Sequence, residues 1–441
     1  MYKLLFCLLT VSTIGFTQSE DIKKEPQKAF VGINSRLSYL MLDPNQNLRK
    51  ELILLEERQA HPSKDKMLTI GTSILAIGDY QKSNVNSKFG YLMRHPTTSN
   101  QIGYEVSEAV LHSWHFSVMG QLNSWITTCV ELLYNPEQSF GSGTITSIER
   151  NQIQLRKGFV LLGDLNKSPF YFSLGKMDGP FGQMGTVSPF TNSTTWHAFA
   201  TLGYGAQLGF KTKNFNAAIM AVQGGSQFRA LNSSVAGTNV PSRINNGIAD
   251  VNYSFNFNDN NKLKIGGSYV LGCAYCHSFP VEHFGDCADS NPAYSVYGQY
   301  FIKDRLRIQG SYTKTVNVWP GTHNPIPPLD VFAAAKVSAM DLGAKYDFKL
   351  DKTEDIVYSI SGEFSNFLAG DAGSDWEFQN QYILGFAGLV NESSRIFVEF
   401  FRTEGFVPLN FVSGGNMGPG ETISDRSAKS HGIVIGAMVT F

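Results

Sequence analysis

The densest group of potentially reactive side chains lies within residues 273–289. It includes three thiols, two imidazoles and two aspartates: Cys273, Cys276, Cys287, His277, His283, Asp286 and Asp289. Such groups bind metals, but a structural zinc site wants four ligands with paired spacing, which this group lacks. One disulfide, for example Cys276–Cys287, suits an oxidising compartment better. Cys273, Cys276 and Cys287 are therefore disulfide candidates, and no metal site is predicted.

A second candidate for metal binding is the pair His112 and His115, three residues apart. On a helix they would share a face, whereas on a strand they point to opposite faces. We predict a strand here, and hence no site. The sequence also has no Gly-x-Ser-x-Gly element and no phosphate-binding loop. No catalytic residue, cofactor or enzymatic activity is predicted.

The charge composition restricts the classes of partner. Lys and Arg number 36 against 37 Asp and Glu, so the formal net charge is −1, and no basic field attracts nucleic acid. Charged residues make up only 17% of the chain, with 42 Gly and 32 Phe. A soluble domain averages about 25% charged residues, so this composition is unusual for one.

The N-terminal region predicts export. One Lys, an apolar run over residues 4–16 and a polar exit are typical of a secretory signal peptide, which we assign to residues 1–19. Residues 20–65 are predicted to be an N-terminal periplasmic segment. Within it, residues 47–59 carry Leu48, Leu52 and Leu55 at helical spacing, which predicts a short amphipathic helix. This helix would lie in the periplasm or near a lumen mouth, and a plain tether is an open alternative.

Residues 66–441 show the period-two pattern of strands. In residues 340–350, Met340, Leu342 and Tyr346 alternate with Asp341 and Lys345, and similar alternation recurs along the chain. No run of 18 apolar residues follows residue 20, so crossing a membrane would require a closed barrel. The predicted fold class is all-β: a transmembrane antiparallel β-barrel with a short N-terminal helical segment.

Turn and loop lengths predict the number of strands. The sixteen predicted strands are 68–79, 106–121, 124–134, 152–163, 169–177, 202–212, 214–222, 246–258, 262–272, 293–303, 305–315, 338–350, 356–366, 378–390, 394–404 and 430–441. Short turns alternate with long loops between them, as in barrels of the Gram-negative outer membrane. The terminal Phe441 resembles the signal that outer-membrane proteins present to the barrel-assembly machinery. Outer-membrane lipid and that machinery are the predicted partners, together with a small-molecule solute.

A barrel of this size encloses a lumen, and charged residues on its inner face tune selectivity. The side chains predicted to face inward are Glu131, Arg156, Lys211, Asp250, Lys264, Arg305, Arg307, Asp341, Lys345, Asp347, Glu363 and Glu399. Six are basic and six acidic, so the count predicts no net preference for anions or cations. A positive and a negative wall could still orient a polar, zwitterionic or chelating solute, and structural pairing across strands is the alternative. Lys157 falls on the predicted lipid face, where a mid-membrane Lys costs about 2–4 kcal/mol. Either it reaches the interface, or the register is shifted there.

The long loop 178–201 is a candidate constriction. Pro180 and Gly182 can turn it back into the lumen, where Phe181, Phe190 and Trp196 would pack. Deleting residues 183–195 is expected to raise single-channel conductance.

Residues 162–192 carry a distinctive set of motifs: Asn166-Lys167-Ser168-Pro169, Gly175-Lys176, Pro180-Phe181-Gly182 and Ser188-Pro189-Phe190-Thr191. With Val130–Tyr134 before them, these resemble the outer-membrane siderophore porin family typified by the legiobactin receptor. The resemblance implies a plug-less porin-like barrel that takes up a ferric siderophore. It carries over no ligand-binding residue. A general porin, a porin for another solute, and an adhesin or structural barrel are the alternatives.

Overall fold

The computed structural model describes residues 31–46, 48–61, 66–88, 102–134, 153–223, 243–258, 260–273, 275, 290–303, 305–318, 323–325, 328–331, 336–351, 355–407 and 425–441. The predicted signal peptide, Cys276, Cys287 and the histidines and aspartates of their group lie outside these residues. None of the described helices is long and apolar enough to cross a membrane.

The described chain contains nineteen strands and three helices. The strands are β1 (Val31–Ile33), β2 (Met67–Lys88), β3 (Ile102–Gln121), β4 (Ile126–Tyr134), β5 (Ile153–Gly163), β6 (Phe170–Asp178), β7 (Leu202–Lys211), β8 (Phe215–Gln223), β9 (Ile244–Asn258), β10 (Asn261–Val270), β11 (Ala293–Ile302), β12 (Leu306–Thr315), β13 (His323–Pro325), β14 (Pro328–Val331), β15 (Ser338–Phe348), β16 (Ile356–Leu368), β17 (Phe378–Val390), β18 (Ser394–Phe406) and β19 (Asp425–Thr440). The helices are α1 (Ser35–Leu42), α2 (Lys50–Ala60) and α3 (Thr194–Phe199).

Sixteen of these strands form a closed antiparallel barrel. Each pairs with the next along the wall, and β19 pairs with β2 from Ser430↔Ser83 to Thr440↔Ser73, which closes the sheet. β1 adds a short parallel pairing to β2, and β13 pairs only with β14. Closure leaves no open sheet edge, the condition for a sheet to cross a bilayer. The predicted sixteen-stranded barrel is confirmed.

The two faces of the wall are sorted as a membrane barrel requires. Outward side chains are apolar, such as Leu342 and Ile396, which are 61% and 62% exposed. Inward side chains are polar and covered, such as Gln207 and Glu399, both 0% exposed. Alternate residues of a strand face opposite sides, so the period-two pattern places the polar set in the lumen.

Two β-bulges change the predicted faces. The pairing of β4 with β5 shifts between Glu131 and Leu132, and this inserts Arg156 as an extra residue. Lys157 therefore pairs with Glu131 and is buried inside the barrel, so its predicted place on the lipid face is wrong. The pairing of β2 with β3 shifts between Leu75 and Ala76, opposite His112.

The second bulge brings His112 and His115 to the same side of the strand. Both rings are buried within the barrel. The expectation that they point to opposite faces is therefore wrong. His115 Nδ1 lies 2.8 Å from Glu131 Oε1. Among the described residues, no three His, Cys, Asp or Glu side chains gather in a way that could hold a metal ion.

The described part of the N-terminal segment lies against the inner wall. Asn34 caps α1 by accepting a hydrogen bond from Leu37 N at 3.0 Å. Leu37 of α1 and Leu55 of α2 belong to one apolar cluster with Met119 and Phe159 of the barrel. The predicted helix over 47–59 corresponds to α2, whereas α1 was not predicted. The lower boundary of the barrel at residue 66 stays a prediction.

Candidate functional site

The loop between β6 and β7 crosses the lumen and is held by two buried carboxylates. Glu363 of β16 accepts hydrogen bonds from Thr186 Oγ1 at 2.5 Å and Val187 N at 2.9 Å. Glu399 of β18 accepts from Phe190 N at 2.6 Å. Backbone donors that leave regular structure need such acceptors when they are buried. These two carboxylates therefore anchor the loop to the wall opposite its own strands.

Other inward side chains extend this anchoring to several strands. Gln309 Nε2 donates to the Gly185 carbonyl at 2.6 Å, and Gln381 Nε2 donates to the Asn192 carbonyl at 2.9 Å. Farther along, Ser193 caps α3 by accepting from Trp196 N at 3.1 Å. The loop is thus attached to β12, β16, β17 and β18.

Four residues of the predicted constriction, Pro180, Phe181, Phe190 and Trp196, are buried, and Gly182 is half-buried. Phe190 stacks on Phe397 with ring centroids 5.6 Å apart, while Trp196 lies in α3. Phe181 lines the lumen cavity described below. Pro180 precedes it, and Gly182 has a φ of 65°, a left-handed conformation that suits glycine.

The loop also contacts the N-terminal segment. Asn45 Nδ2 donates to the Phe190 carbonyl at 2.5 Å, and Thr186 N donates to the Asn45 carbonyl at 3.2 Å. Gln46 Nε2 donates to the Ser188 carbonyl at 3.3 Å. The segment and the loop therefore form one continuous layer of chain inside the barrel.

Two ion pairs and two hydrogen bonds fasten the segment to the wall. Asp43, after α1, pairs with Arg395 of β18 at 2.9 Å. In α2, Glu56 pairs with Lys211 at 2.8 Å. Arg58 Nη1 donates to Thr127 Oγ1 at 2.6 Å, and Gln207 Nε2 donates to Glu51 Oε1 at 3.2 Å. These bonds reach β4, β7 and β18, which lie on different sides of the barrel.

The pKa values of two groups in this segment reflect their burial. Burial lowers the pKa of Lys50 to about 8, and the nearby charge of Lys157 acts in the same direction. Its Nζ donates to the carbonyls of Leu40 and Asp43 at 3.0 and 2.9 Å. For Asp43, burial raises the pKa, but Arg395 and backbone donors outweigh it, so the pKa is lowered overall.

Beside this layer lies a cavity of about 440 Å³. Its walls are α2, the first part of the loop, and strands β7 to β12. The lining includes Thr201, which precedes β7, and Lys211, where β7 ends. Residues at both ends of β7 therefore line the cavity, so the cavity extends along the length of the strands.

The cavity lining is strongly basic. It carries six cationic side chains against two carboxylates, Glu56 and Asp178. We call the six the basic wall: Arg49, Lys211, Lys213, Lys262, Lys264 and Arg307. The chain as a whole has a net charge of −1, so this excess is local.

The predicted inward carboxylates have other partners. Glu131 pairs with His115, Asp341 accepts from Ser311, and Asp250 accepts from Ser268 Oγ at 2.6 Å. With Glu363 and Glu399 bound to the loop, five of the six predicted acidic residues are engaged in structural contacts. The sixth, Asp347, lies 3.2 Å from Lys345. The predicted acidic side chains therefore lie outside the cavity lining, apart from the basic wall.

Three of the six predicted basic residues, Lys211, Lys264 and Arg307, lie in the basic wall. Arg156 is the half-buried extra residue of its bulge. Arg305 is exposed in the turn before β12 and is absent from the cavity lining, so it is not part of the basic wall. β12 begins only at Leu306, and regular alternation does not extend into the turn.

Sequence reasoning missed Arg49, Lys213 and Lys262. Arg49 belongs to the N-terminal segment. Lys213 lies in the turn between β7 and β8, and Lys262 is the second residue of β10. Both described cysteines, Cys129 and Cys273, are free and buried. The pairing of Cys276 with Cys287 stays a prediction.

No protein-family model matches the chain. A UPF0422 protein of Coxiella burnetii (strain RSA 493 / Nine Mile phase I) is 24% identical over 191 residues, 43% of this chain. The chain spans about 38% of that curated relative's length. The siderophore porin resemblance of residues 162–192 therefore depends on the motifs alone.

Solved structures share the fold at low sequence identity. OprB of Pseudomonas putida has a TM-score of 0.50 at 9% identity, covering 84% of this chain and 94% of OprB. An anion-selective porin from Comamonas acidovorans has a TM-score of 0.48 at 9% identity, covering 85% and 99% of the two chains. The outer-membrane channel DcaP of Acinetobacter baumannii has a TM-score of 0.46 at 10% identity, covering 85% and 97%. The chain therefore has the fold of a porin-like β-barrel.

Proposed function

We propose that this barrel is a solute-selective channel that takes up a small polar solute, with a ferric siderophore as the candidate. The observation that carries the proposal is the division of the lumen. The inserted segment and the β6–β7 loop occupy part of it, and the cavity of about 440 Å³ lies between them and strands β7 to β12.

The size of the cavity favours a selective channel over a general one. Sites for small molecules enclose about 300–1,000 Å³, which is the range of this cavity. A solute passing here would contact α2, the loop and the wall together. Such contacts allow discrimination by shape and charge, whereas a wide open lumen discriminates mainly by size.

The siderophore candidate is supported by the motif resemblance of residues 162–192, whose last part, from residue 179 onward, belongs to the β6–β7 loop. Pro180-Phe181-Gly182 begins that loop, and Phe181 and Gly182 line the cavity. Ser188-Pro189-Phe190-Thr191 is the part that Glu399 anchors through Phe190 and Thr191. The shared motif thus lies where a solute would pass.

The experiment is uptake into proteoliposomes that contain the refolded full-length protein. The probes are radioiron-labelled ferric citrate and ferric rhizoferrin, with a neutral sugar of similar mass as the comparison. The proposal expects faster entry of at least one ferric chelate than of the sugar. Equal entry of all probes would indicate a general porin. Absence of entry through a folded, heat-modifiable barrel would contradict a channel function altogether.

A further inference from the structure

The basic wall points to a binding site for a small polyanion. We propose that the cavity binds a solute with two or more carboxylate or phosphate groups at Arg49, Lys264 and Arg307. This inference rests on the proposed channel function and names the chemical class of its solute.

The first step concerns which cations are free to bind a solute. Lys211 is paired with Glu56, and Arg49 with Glu51 at 2.5 Å. The other carboxylate of the lining, Asp178, pairs with Lys157 outside the basic wall. Lys213, Lys262, Lys264 and Arg307 have no carboxylate within ion-pair distance in the part of the chain that the structure describes. None of these four cations therefore forms an ion pair with a described residue, although Asp250 is within electrostatic range of Lys264, and Asp347 and Glu363 are within range of Arg307.

The second step concerns position. Lys262 and Lys264 are two residues apart on β10 and face the same cavity, and Lys264 is within electrostatic range of Asp250, Arg49 and Lys211. Arg307 of β12 donates through Nη2 to the Thr186 carbonyl at 3.1 Å, which orients its guanidinium beside the loop. Arg49, the residue directly before α2, lines the cavity from the N-terminal segment. The charges therefore surround the cavity from the segment and from two strands.

The third step concerns unsatisfied donors. Arg307 Nε and Arg49 Nη2 are buried and have no acceptor among the described residues. A buried donor without a partner costs about 1–3 kcal/mol, and more when the group is charged. Gln299 and Asn252 add neutral polar groups to the same lining. A solute rich in oxygen atoms supplies the acceptors that these groups lack, whereas a cation or an apolar solute does not.

The carboxylates explain why the site is selective. The lining itself supplies only two carboxylates, Glu56 and Asp178, and each is paired with a lysine, so the net charge of the lining is positive. In a cleft with low-dielectric walls, charges of one sign raise the local concentration of counter-ions by about tenfold or more. An anion is therefore enriched at the cavity before it makes specific contacts.

The test uses the refolded full-length protein in planar bilayers. The anion-to-cation permeability ratio comes from the reversal potential in a potassium chloride gradient. Citrate and pyrophosphate, added separately as blockers, distinguish carboxylate from phosphate, and putrescine serves as the cationic counter-probe. We expect anion preference of about tenfold, and block by at least one polyanion but not by putrescine.

The variants are Lys264→Gln and Arg307→Gln, with Arg305→Gln as the matched control. Arg305 lies only two residues before Arg307 but is exposed in the turn. We expect the first two to weaken polyanion block severalfold and the control to behave as the parent protein. Equal behaviour of Arg307→Gln and Arg305→Gln, or a channel without anion preference, would overturn the polyanion site while leaving the channel function intact. A folded barrel without conductance would instead overturn the proposed function.

Discussion

Arg395 Nη1 lies 2.9 Å from Asp43 Oδ2, and both side chains are almost fully buried, at 5% and 1% exposure. This pair joins the end of α1 to strand β18. Arg395 Nη1 also donates to the hydroxyl of Tyr39 at 3.1 Å, so a single guanidinium fixes two positions of the inserted segment. The contact joins residues 352 positions apart in the chain.

Loss of one partner of this pair is expected to release the segment. Asp43→Asn leaves the buried Arg395 charge without its carboxylate, and breaking a buried pair costs about 3–5 kcal/mol. We expect higher single-channel conductance and faster proteolysis within residues 31–60. The measurement is conductance in planar bilayers combined with limited proteolysis.

The control for this variant is Arg36→Gln. Arg36 pairs with Glu57 and Glu392, but its side chain is 44% exposed, and exposed pairs contribute about 0–1 kcal/mol. It should leave both readouts unchanged. The double variant Asp43→Leu with Arg395→Met should recover part of the docking, because no buried charge is left unpaired. Identical conductance of Asp43→Asn and the parent protein would show that the pair does not hold the segment.

The anchoring of the loop by Glu399 gives a second prediction. Glu399 accepts from Phe190 N, Thr191 N and Thr191 Oγ1, and each bond to a charged group contributes about 1.5–3 kcal/mol. Glu399→Gln should loosen the loop and increase conductance and its fluctuations. Glu404→Gln on the same strand is the control, because Glu404 pairs with the exposed Arg402 instead. Deleting residues 183–195 should produce a larger increase, and unchanged conductance would mean that the loop does not constrict the channel.

Glycines that contact the loop provide a third prediction. A Cβ added at Gly385 would lie 2.5 Å from Pro189 Cδ, and the rigid proline ring cannot move aside without the loop. Gly385→Ala is therefore expected to displace the loop and raise conductance. Gly362→Ala, on the neighbouring strand, places its Cβ in open space and should change nothing. Equal conductance of the two variants would contradict the close packing of Pro189 on the wall.

The pKa of Lys50 predicts how docking of the segment depends on pH. Because burial lowers this pKa from 10.5 to about 8, the docked segment binds the proton less tightly than a released one. Raising the pH from about 8 to 10.5 should therefore stabilise docking. Below about pH 8, Lys50 is protonated in both states and causes no pH dependence. We expect proteolysis within residues 31–60 to slow over that range.

Lys50→Met isolates this effect from other groups that titrate in the same range. Methionine has no titratable group, so the variant should lose the part of the pH dependence that Lys50 causes. Glu131, Asp43, Lys157 and Asp178 surround Lys50 and remain in both proteins. A pH profile identical in the two proteins would show that Lys50 is not the responsible group.

The sequence by itself determined the architecture of the wall. Strands such as β15 alternate apolar and polar residues without interruption, and membrane and lumen impose opposite polarity on the two faces, so local pattern is sufficient. The alternation of short turns and long loops then predicted sixteen strands. Prediction failed where a bulge adds one residue to a strand. The bulge at Arg156 turns the Lys157 side chain to the inner face, and the bulge at His112 places His112 and His115 on the same face. A period-two pattern contains no record of such an insertion, which appears only in the pairing with the neighbouring strand.

Only the tertiary structure decided how the lumen is filled and charged. The twelve predicted inward charges were balanced in sign, and their number could not reveal that Glu363 and Glu399 hold the loop while Lys211, Lys264 and Arg307 line the cavity. That division depends on contacts over long separations in sequence, such as Thr186 with Glu363 and Asp43 with Arg395. Arg49 joins the basic wall because α2 docks inside the barrel, which its amphipathic pattern alone does not specify. The pairing of charges is a property of the folded chain, so the proposed selectivity could not be predicted from the sequence.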